Sequence, residues 1–188
     1  RELTDDEAII IMVDSNLQRE QVLPSEKAFA YKMKLDAMKR QAGRPSKNNS
    51  ATVLQNFEGK TSREILAEQS GESHEQIRKY IRLTNLTPEL LGMVDNSVLK
   101  EKGQLQMALR PAVELSYLSK DEQNALLEVM EGEDCTPSHA QAIKMRDFSE
   151  KGKLNADVIL SIMQEEKPNQ VEQFKIPRNR IDKFFPAG

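Results

Sequence analysis

The side chains best equipped for chemistry stand close together near the middle of the chain. Ser73, His74, Glu75, Gln76 and Lys79 bring a hydroxyl, an imidazole, a carboxylate, an amide and an ammonium into one short run. That mixture suits the reading of polar base edges: a Gln amide matches adenine, and Lys or Arg matches guanine. Ser62, Arg63, Arg78 and Arg82 surround the run. With the free amides at helix starts, they supply donors for phosphate oxygens. A second set of cations, Lys39, Arg40, Arg44 and Lys47, precedes it beside Lys32 and Lys34 and is suited to tracking a phosphate backbone. A plain helical hairpin with a solvated face carries similar charges, and Glu64, Glu68, Glu72 and Glu75 repel phosphate. Residue types alone therefore leave both readings open.

Catalytic and metal chemistry have little to draw on. The chain holds two histidines, His74 and His139, and one cysteine, Cys135. Neither histidine has partners at metal-ligand spacing, so we expect no metal site. With almost no imidazole to act as general base, we expect no catalytic residues. There is no Gly-rich phosphate loop. Met93, Met107, Met130, Met145 and Met163 read as core fillers.

The elements that must hold these groups are helical. Ala, Leu, Met, Glu, Lys and Gln dominate, aromatics are only 5%, and no run alternates with period two, so we expect an all-α multi-helix bundle without a sheet. Within residues 61–84 the spacing Ala67, Gly71, Ser73, Ile77 predicts a helix-turn-helix. Ala67 permits close helix approach, Gly71 tolerates positive φ in the turn, and Ser73 caps the second helix. Ile77, Tyr80 and Ile81 form the inner face of that helix by the i, i+3, i+4 rule. Glu75, Lys79 and Arg82 lie opposite, flanked by Gln76 and Arg78.

Further helices are expected at 3–13, 24–41, 51–58, 87–95, 105–118, 119–131, 136–151, 155–166 and 176–185. Thr4, Thr61, Thr87, Ser119 and Thr136 stand at N-caps, with Pro88 and Pro137 at first helical positions. Asp14, Ser15 and Asn16 are expected to break the first helix. Gly, Pro, Ser and Asn crowd into a linker, which separates N-terminal helices at 1–42 from a DNA-binding domain at 51–166. The linker covers 43–50, and a C-terminal extension covers 167–188. Gly43-Arg44-Pro45 has the outline of a minor-groove hook without its second Arg, and reads better as part of a flexible hinge.

Charge is unevenly placed. Residues 30–82 hold 11 Lys and Arg against 6 Asp and Glu, a net of +5, and the remainder holds 16 against 24, a net of −8. A basic middle between acidic ends marks the middle as the anion-facing part. A single cysteine fits a reducing cytosol. No apolar run approaches the roughly 18 residues of a membrane span. Arg1 in first position leads us to expect a piece of a longer protein.

The segment 61–94 resembles the helix-turn-helix of ParB partition proteins, including the stage-zero sporulation protein J branch. Ala67, Gly71, Ser73, Leu83-Thr84 and Thr87-Pro88-Glu89 carry the likeness. Upstream, SNLQRE at 15–20 and LPSEKAFAY at 23–31 are similar to the family's last nucleotide box and the helix after it. Downstream, LRPAVELSYLS at 109–119 falls where the family has a Gly-His-Ala-Arg-rich helix, here with Arg110-Pro111 in place of Gly-His.

The resemblance spans roughly residues 8–131. It implies site-specific binding of double-stranded DNA at a centromere-like partition site, self-association as a dimer, and a ParA-type ATPase as partner. It also implies a bacterial, cytoplasmic, nucleoid-associated setting. CTP and Mg belong to the full-length protein by this likeness, and no cofactor is expected in this chain. The phosphate-binding box of Gly-Glu-Arg-Arg type is absent, and Ser15 stands where a metal-contacting Glu is expected, leaving Asn16 and Arg19 as remnants of the nucleotide site. Three alternatives stay open: a transcriptional regulator with the same module, a CTP-dependent DNA clamp with residual nucleotide binding, and a helical protein-interaction module without DNA contacts, for which the acidic stretch 114–134 speaks. We expect no enzymatic activity of this chain.

Overall fold

A computed structural model describes residues 3–43, 61–100 and 102–165. Among them the protein is all-helical, with no strand. In chain order the helices are α1 (Asp5–Leu17), α2 (Pro24–Gly43), α3 (Ser62–Ser70), α4 (His74–Leu83) and α5 (Pro88–Leu99). They are followed by α6 (Leu109–Leu115), α7 (Lys120–Glu133), α8 (His139–Glu150) and α9 (Ala156–Met163). The expected helices at 51–58 and 176–185 lie outside the described residues, as do linker residues 44–50.

Local chemistry accounts for most of the starts. Thr4, Thr61, Ser119 and Ser138 each accept from the N3 amide while the N3 Glu or Gln side chain accepts from the cap amide. This reciprocal capping satisfies amides that a helix start otherwise leaves open. Ser73 and Asn155 cap α4 and α9 in the simpler way. Thr87 stands at the N-cap of α5 with Pro88 following, but makes no side-chain cap bond. Its own amide donates to Gln123 Oε1 at 2.8 Å.

Several boundaries differ from expectation, and three of the differences have a plain physical reason. α1 runs on through Asp14, Ser15 and Asn16. There the Ser15 hydroxyl donates to the Ile11 carbonyl at 3.0 Å and Asp14 pairs with Lys34, so the polar residues are absorbed as helix surface. α6 starts at Leu109 rather than at 105, which keeps Pro111 within the first turn; further in, its ring would clash with the preceding turn. α8 starts at His139 under a Ser138 cap, because the Thr136 hydroxyl donates instead to the Gln106 carbonyl at 2.9 Å.

The main core joins α4 through α9 around Leu90, Met107, Leu115, Leu126, Met130, Met145 and Ile159. Burial of one such side chain contributes about 1.5–3 kcal/mol. The five methionines expected as fillers are all buried. Two smaller clusters attach the N-terminal helices. Ile10 of α1 meets Ala37 and Met38 of α2 and Ile65 of α3. Tyr31 and Leu35 of α2 meet Leu66 of α3 and Ile77 of α4.

Helix α2 is the bridge. Ala28, Tyr31, Leu35 and Met38 recur at spacings of three and four and are all buried, as a single helical stripe requires. Ala28 enters the main core, and the Ser25 amide donates to Asp95 of α5 at 2.9 Å. Whether the N-terminal helices pack on the helix-turn-helix is not legible in the sequence; here they share their packing with it.

Candidate nucleic-acid interface

The turn between α3 and α4 is set by Gly71, with φ 68° and ψ 6°. Its amide donates to the Ala67 carbonyl at 3.1 Å and closes α3. Ser73 then accepts from the Gln76 amide at 3.1 Å and opens α4, keeping its hydroxyl hydrogen for another acceptor. Ile77 and Leu83 are buried, and Tyr80 and Ile81 are partly buried against α2 and α3. The inner face therefore matches the expected one, with Leu83 added. Ser73, His74, Glu75 and Arg78 are exposed, and Gln76, Lys79 and Arg82 are partly so.

Two grooves flank α4. The first, of about 500 Å³, joins Lys39 of α2, Thr61, Ser62 and Arg63 at the start of α3, and His74 at the start of α4. The side chains of Lys39, Arg63 and His74 make no hydrogen bond or ion pair among the described residues. The cations Lys39 and Arg63, from separate stretches of sequence, are thus gathered with His74 and the Glu64 carboxylate where two helix starts present amides, which favour an anion.

The second groove, of about 310 Å³, lies along the outer face of α4 and is walled by Tyr117 and by Arg146 of α8. Glu75 is paired here with Arg78 at 3.3 Å, an exposed contact worth about 0–1 kcal/mol that a competing phosphate can displace. Gln76 and Lys79 side chains have no partner among the described residues.

Arg82 is differently placed from its neighbours. Its Nε donates to Ser116 Oγ at 3.1 Å and one terminal nitrogen to the Ser116 carbonyl at 3.0 Å. Its guanidinium carbon sits 3.8 Å from the Tyr117 ring centroid, and that of Arg146 sits 3.7 Å from the same centroid. Arg146 also donates to Glu150 at 2.8 Å and to Glu114 at 3.0 Å. The Glu150 and Glu114 carboxylates hold its guanidinium above the ordinary Arg range.

The basic set on α2 is split by the fold. Lys39 faces the first groove. Arg40 pairs with Asp6 of α1 at 2.8 Å. Lys34 is buried, its ammonium paired with Asp14. Lys32 is exposed, while Arg44 and Lys47 lie outside the described residues. Asn16 and Arg19 line a shallow, largely apolar groove of about 230 Å³ with Met12, Val22 and Phe29. Arg19 there approaches Glu26 at 3.7 Å.

A polar tie beside α3 fixes α2. Lys27 donates to Glu72 at 2.7 Å and lies 5.2 Å from the Tyr80 ring centroid. Tyr80 in turn meets the Tyr31 ring at 6.0 Å. Burial pulls the Lys27 ammonium down, but the Glu72 hydrogen bond and the surrounding charges outweigh it, so its pKa rises above 10.5. Burial, and then Glu72, raise the Tyr31 phenol above 10.0.

Sequence reasoning named the groups on α3 and α4 but missed Ser116, Tyr117 and Arg146. Nothing local marks them: they meet Arg82 only through the packing of α6 and α8. Among the described residues no cluster of His, Cys, Asp and Glu could hold a metal ion. No helix there is long and apolar enough to cross a membrane. Fold and site together define an all-α protein built around a helix-turn-helix with a polar, cation-bearing outer face. Comparison with protein-family models, with curated proteins and with solved structures finds no match for this chain.

Proposed function

We propose that this chain binds double-stranded DNA sequence-specifically, as a partition protein of ParB type at a centromere-like site of a chromosome or plasmid. The observation that carries the reading is the state of the outer face of the helix-turn-helix. Lys39, Arg63 and His74 line one groove and Lys79 the other, Gln76 is partly exposed on the same helix, and none of the five side chains has a partner among the described residues, while the opposite face of α4 is sealed in the core. In this reading α4 lies in the major groove. Gln76 addresses adenine and Lys79 guanine, and Ser73, His74 and Glu75 approach neighbouring edges. Ser62, Arg63, Arg78 and Lys39 hold phosphates, with the amides that open α3 and α4. The resemblance of 15–31 and 61–94 to ParB proteins supports the partition role, a ParA-type ATPase partner, dimeric binding to a palindromic site and work on the nucleoid.

The test is fluorescence anisotropy with a palindromic partition-site duplex and a scrambled duplex across a salt series. The expected result is a preference of at least about tenfold, ~1.4 kcal/mol, for the site. Gln76→Ala and Lys79→Ala are each expected to remove about 1–3 kcal/mol of that discrimination. Equal, steeply salt-dependent affinity for both duplexes would reduce the function to non-specific binding. No binding at low salt would remove DNA as the ligand.

A further inference from the structure

The placement of Tyr117 is not explained by burial. It is a large aromatic residue left 40% exposed, just beyond the end of α6, and its hydroxyl has no hydrogen bond among the described residues. What surrounds its ring is charge: guanidinium carbons of Arg82 and Arg146 stand 3.8 and 3.7 Å from the centroid. These distances are those of direct cation–π stacking. One guanidinium belongs to α4 and the other to α8, and Glu114 of α6 closes the set by accepting from Arg146 at 3.0 Å. Three helices therefore meet on one ring at the solvent boundary.

We propose that Tyr117 is a positioning residue for the DNA-reading helix. Its ring holds Arg82, and through Arg82 the last turn of α4, so that Lys79 and Gln76 are presented at one fixed rotation about the helix axis. This inference rests on the DNA-binding reading above. Arg82 lies three positions from Lys79 and four from Arg78 and so shares their side of α4. Lys79, Tyr117 and Arg146 line the same groove. Base-edge recognition tolerates displacements of only about 0.5 Å and 10–20° in the groups that carry it. A helix end set by the ring and by two hydrogen bonds to Ser116 is therefore part of the specificity apparatus, although Tyr117 touches no base. Arg82 then orients α4 and does not serve as a mobile phosphate clamp. The ring's role needs its π-face and not its hydroxyl.

The experiment compares Tyr117→Phe, Tyr117→Leu and Tyr117→Ala in two readouts. The first is the ratio of affinities for partition-site and scrambled duplexes. The second is amide hydrogen exchange across α4 in the DNA-free protein. Phe is expected to match the wild type in both. Leu and Ala are expected to lower the affinity ratio about tenfold, with scrambled-duplex affinity and its salt dependence unchanged. The same two variants are expected to speed exchange in the last turn of α4 while α7 and α9 keep their protection. A Phe variant as impaired as Ala, or α4 exchange unaltered in both Leu and Ala, would overturn the proposal. Loss of scrambled-duplex affinity in step with site affinity would do the same. If the wild type does not discriminate between duplexes, the DNA reading fails. Exchange in α4 then decides separately whether the ring holds the helix.

Discussion

At the scale of single residues, the turn that makes this molecule a helix-turn-helix depends on Gly71. Its φ of 68° lies in the left-handed region, where a Cβ meets the residue's own backbone. A Cβ built at Gly71 meets nothing else within 4 Å, so the whole cost of substitution is local backbone strain. Gly71→Ala is expected to destabilise the protein by about 1 kcal/mol, read as a lower urea midpoint with an unchanged m-value. Gly71→Asn should recover part of that loss, because Asn tolerates the left-handed region better than Ala. Equal losses for Ala and Asn would mean that the cost arises elsewhere than in φ. Gly71 was legible in the sequence because its neighbours, Ala67 and Ser73, supply the helix end and the next cap at fixed offsets. Arg82 was not fully legible: its position on the outer face follows from periodicity, but its engagement with Ser116 does not.

At the scale of elements, α2 is held to the helix-turn-helix by a tie that titrates. Lys27 and Tyr31 both have raised pKa values in the folded protein. A raised value means that the folded state holds its proton more tightly than the unfolded chain. The resulting stabilisation is fully present below the ordinary values of 10.5 and 10.0 and is lost as pH climbs through the raised ones. Stability measured by urea unfolding is therefore expected to hold up to about pH 10 and to fall as pH rises further. Glu72→Gln should lower stability at neutral pH and flatten that alkaline decline, since Glu72 raises both groups. A decline as steep in Glu72→Gln as in the wild type would place the titration elsewhere. The stripe of Ala28, Tyr31, Leu35 and Met38 in α2 could be read as one face from spacing alone, but not what it would face.

At the scale of the whole molecule, the helix-turn-helix is joined to the C-terminal helices through Gln123 of α7. Gln123 is buried, accepts from the Thr87 amide at 2.8 Å, and donates to the carbonyls of Leu118 at 3.0 Å and Asn85 at 3.2 Å. It thereby satisfies backbone groups in the α4–α5 and α6–α7 turns at once. The Asn85 carbonyl has a second donor in Lys120 at 2.7 Å, so replacement leaves chiefly the Thr87 amide and Leu118 carbonyl without this partner. Gln123→Leu keeps the volume and removes the bonds, and at about 1–3 kcal/mol for each of the two orphaned groups the expected loss is roughly 2–6 kcal/mol. Circular dichroism and tryptophan-free fluorescence of the tyrosines should report it as one earlier transition. A loss below about 0.5 kcal/mol would show that water replaces the amide.

The sequence by itself determined what neighbouring residues decide. Thr4, Thr61, Ser73 and Ser119 start helices because a cap and its amide lie three positions apart. Gly71 turns the chain because no side chain opposes its φ, and the inner face of α4 follows from a 3.6-residue period. All-helical architecture followed from the same short-range rules. Only the tertiary structure decided what depends on partners far along the chain. Lys34, read as a surface cation, is buried against Asp14, 20 residues away. Arg40 is drawn to Asp6, 34 residues away, and Arg82 to Ser116, also 34 away. A charged side chain in sequence shows only that it will seek an opposite charge, a polar group or water. Which of these it meets is set by how helices pack, because electrostatic and aromatic contacts act over a few ångströms and carry no trace of chain distance.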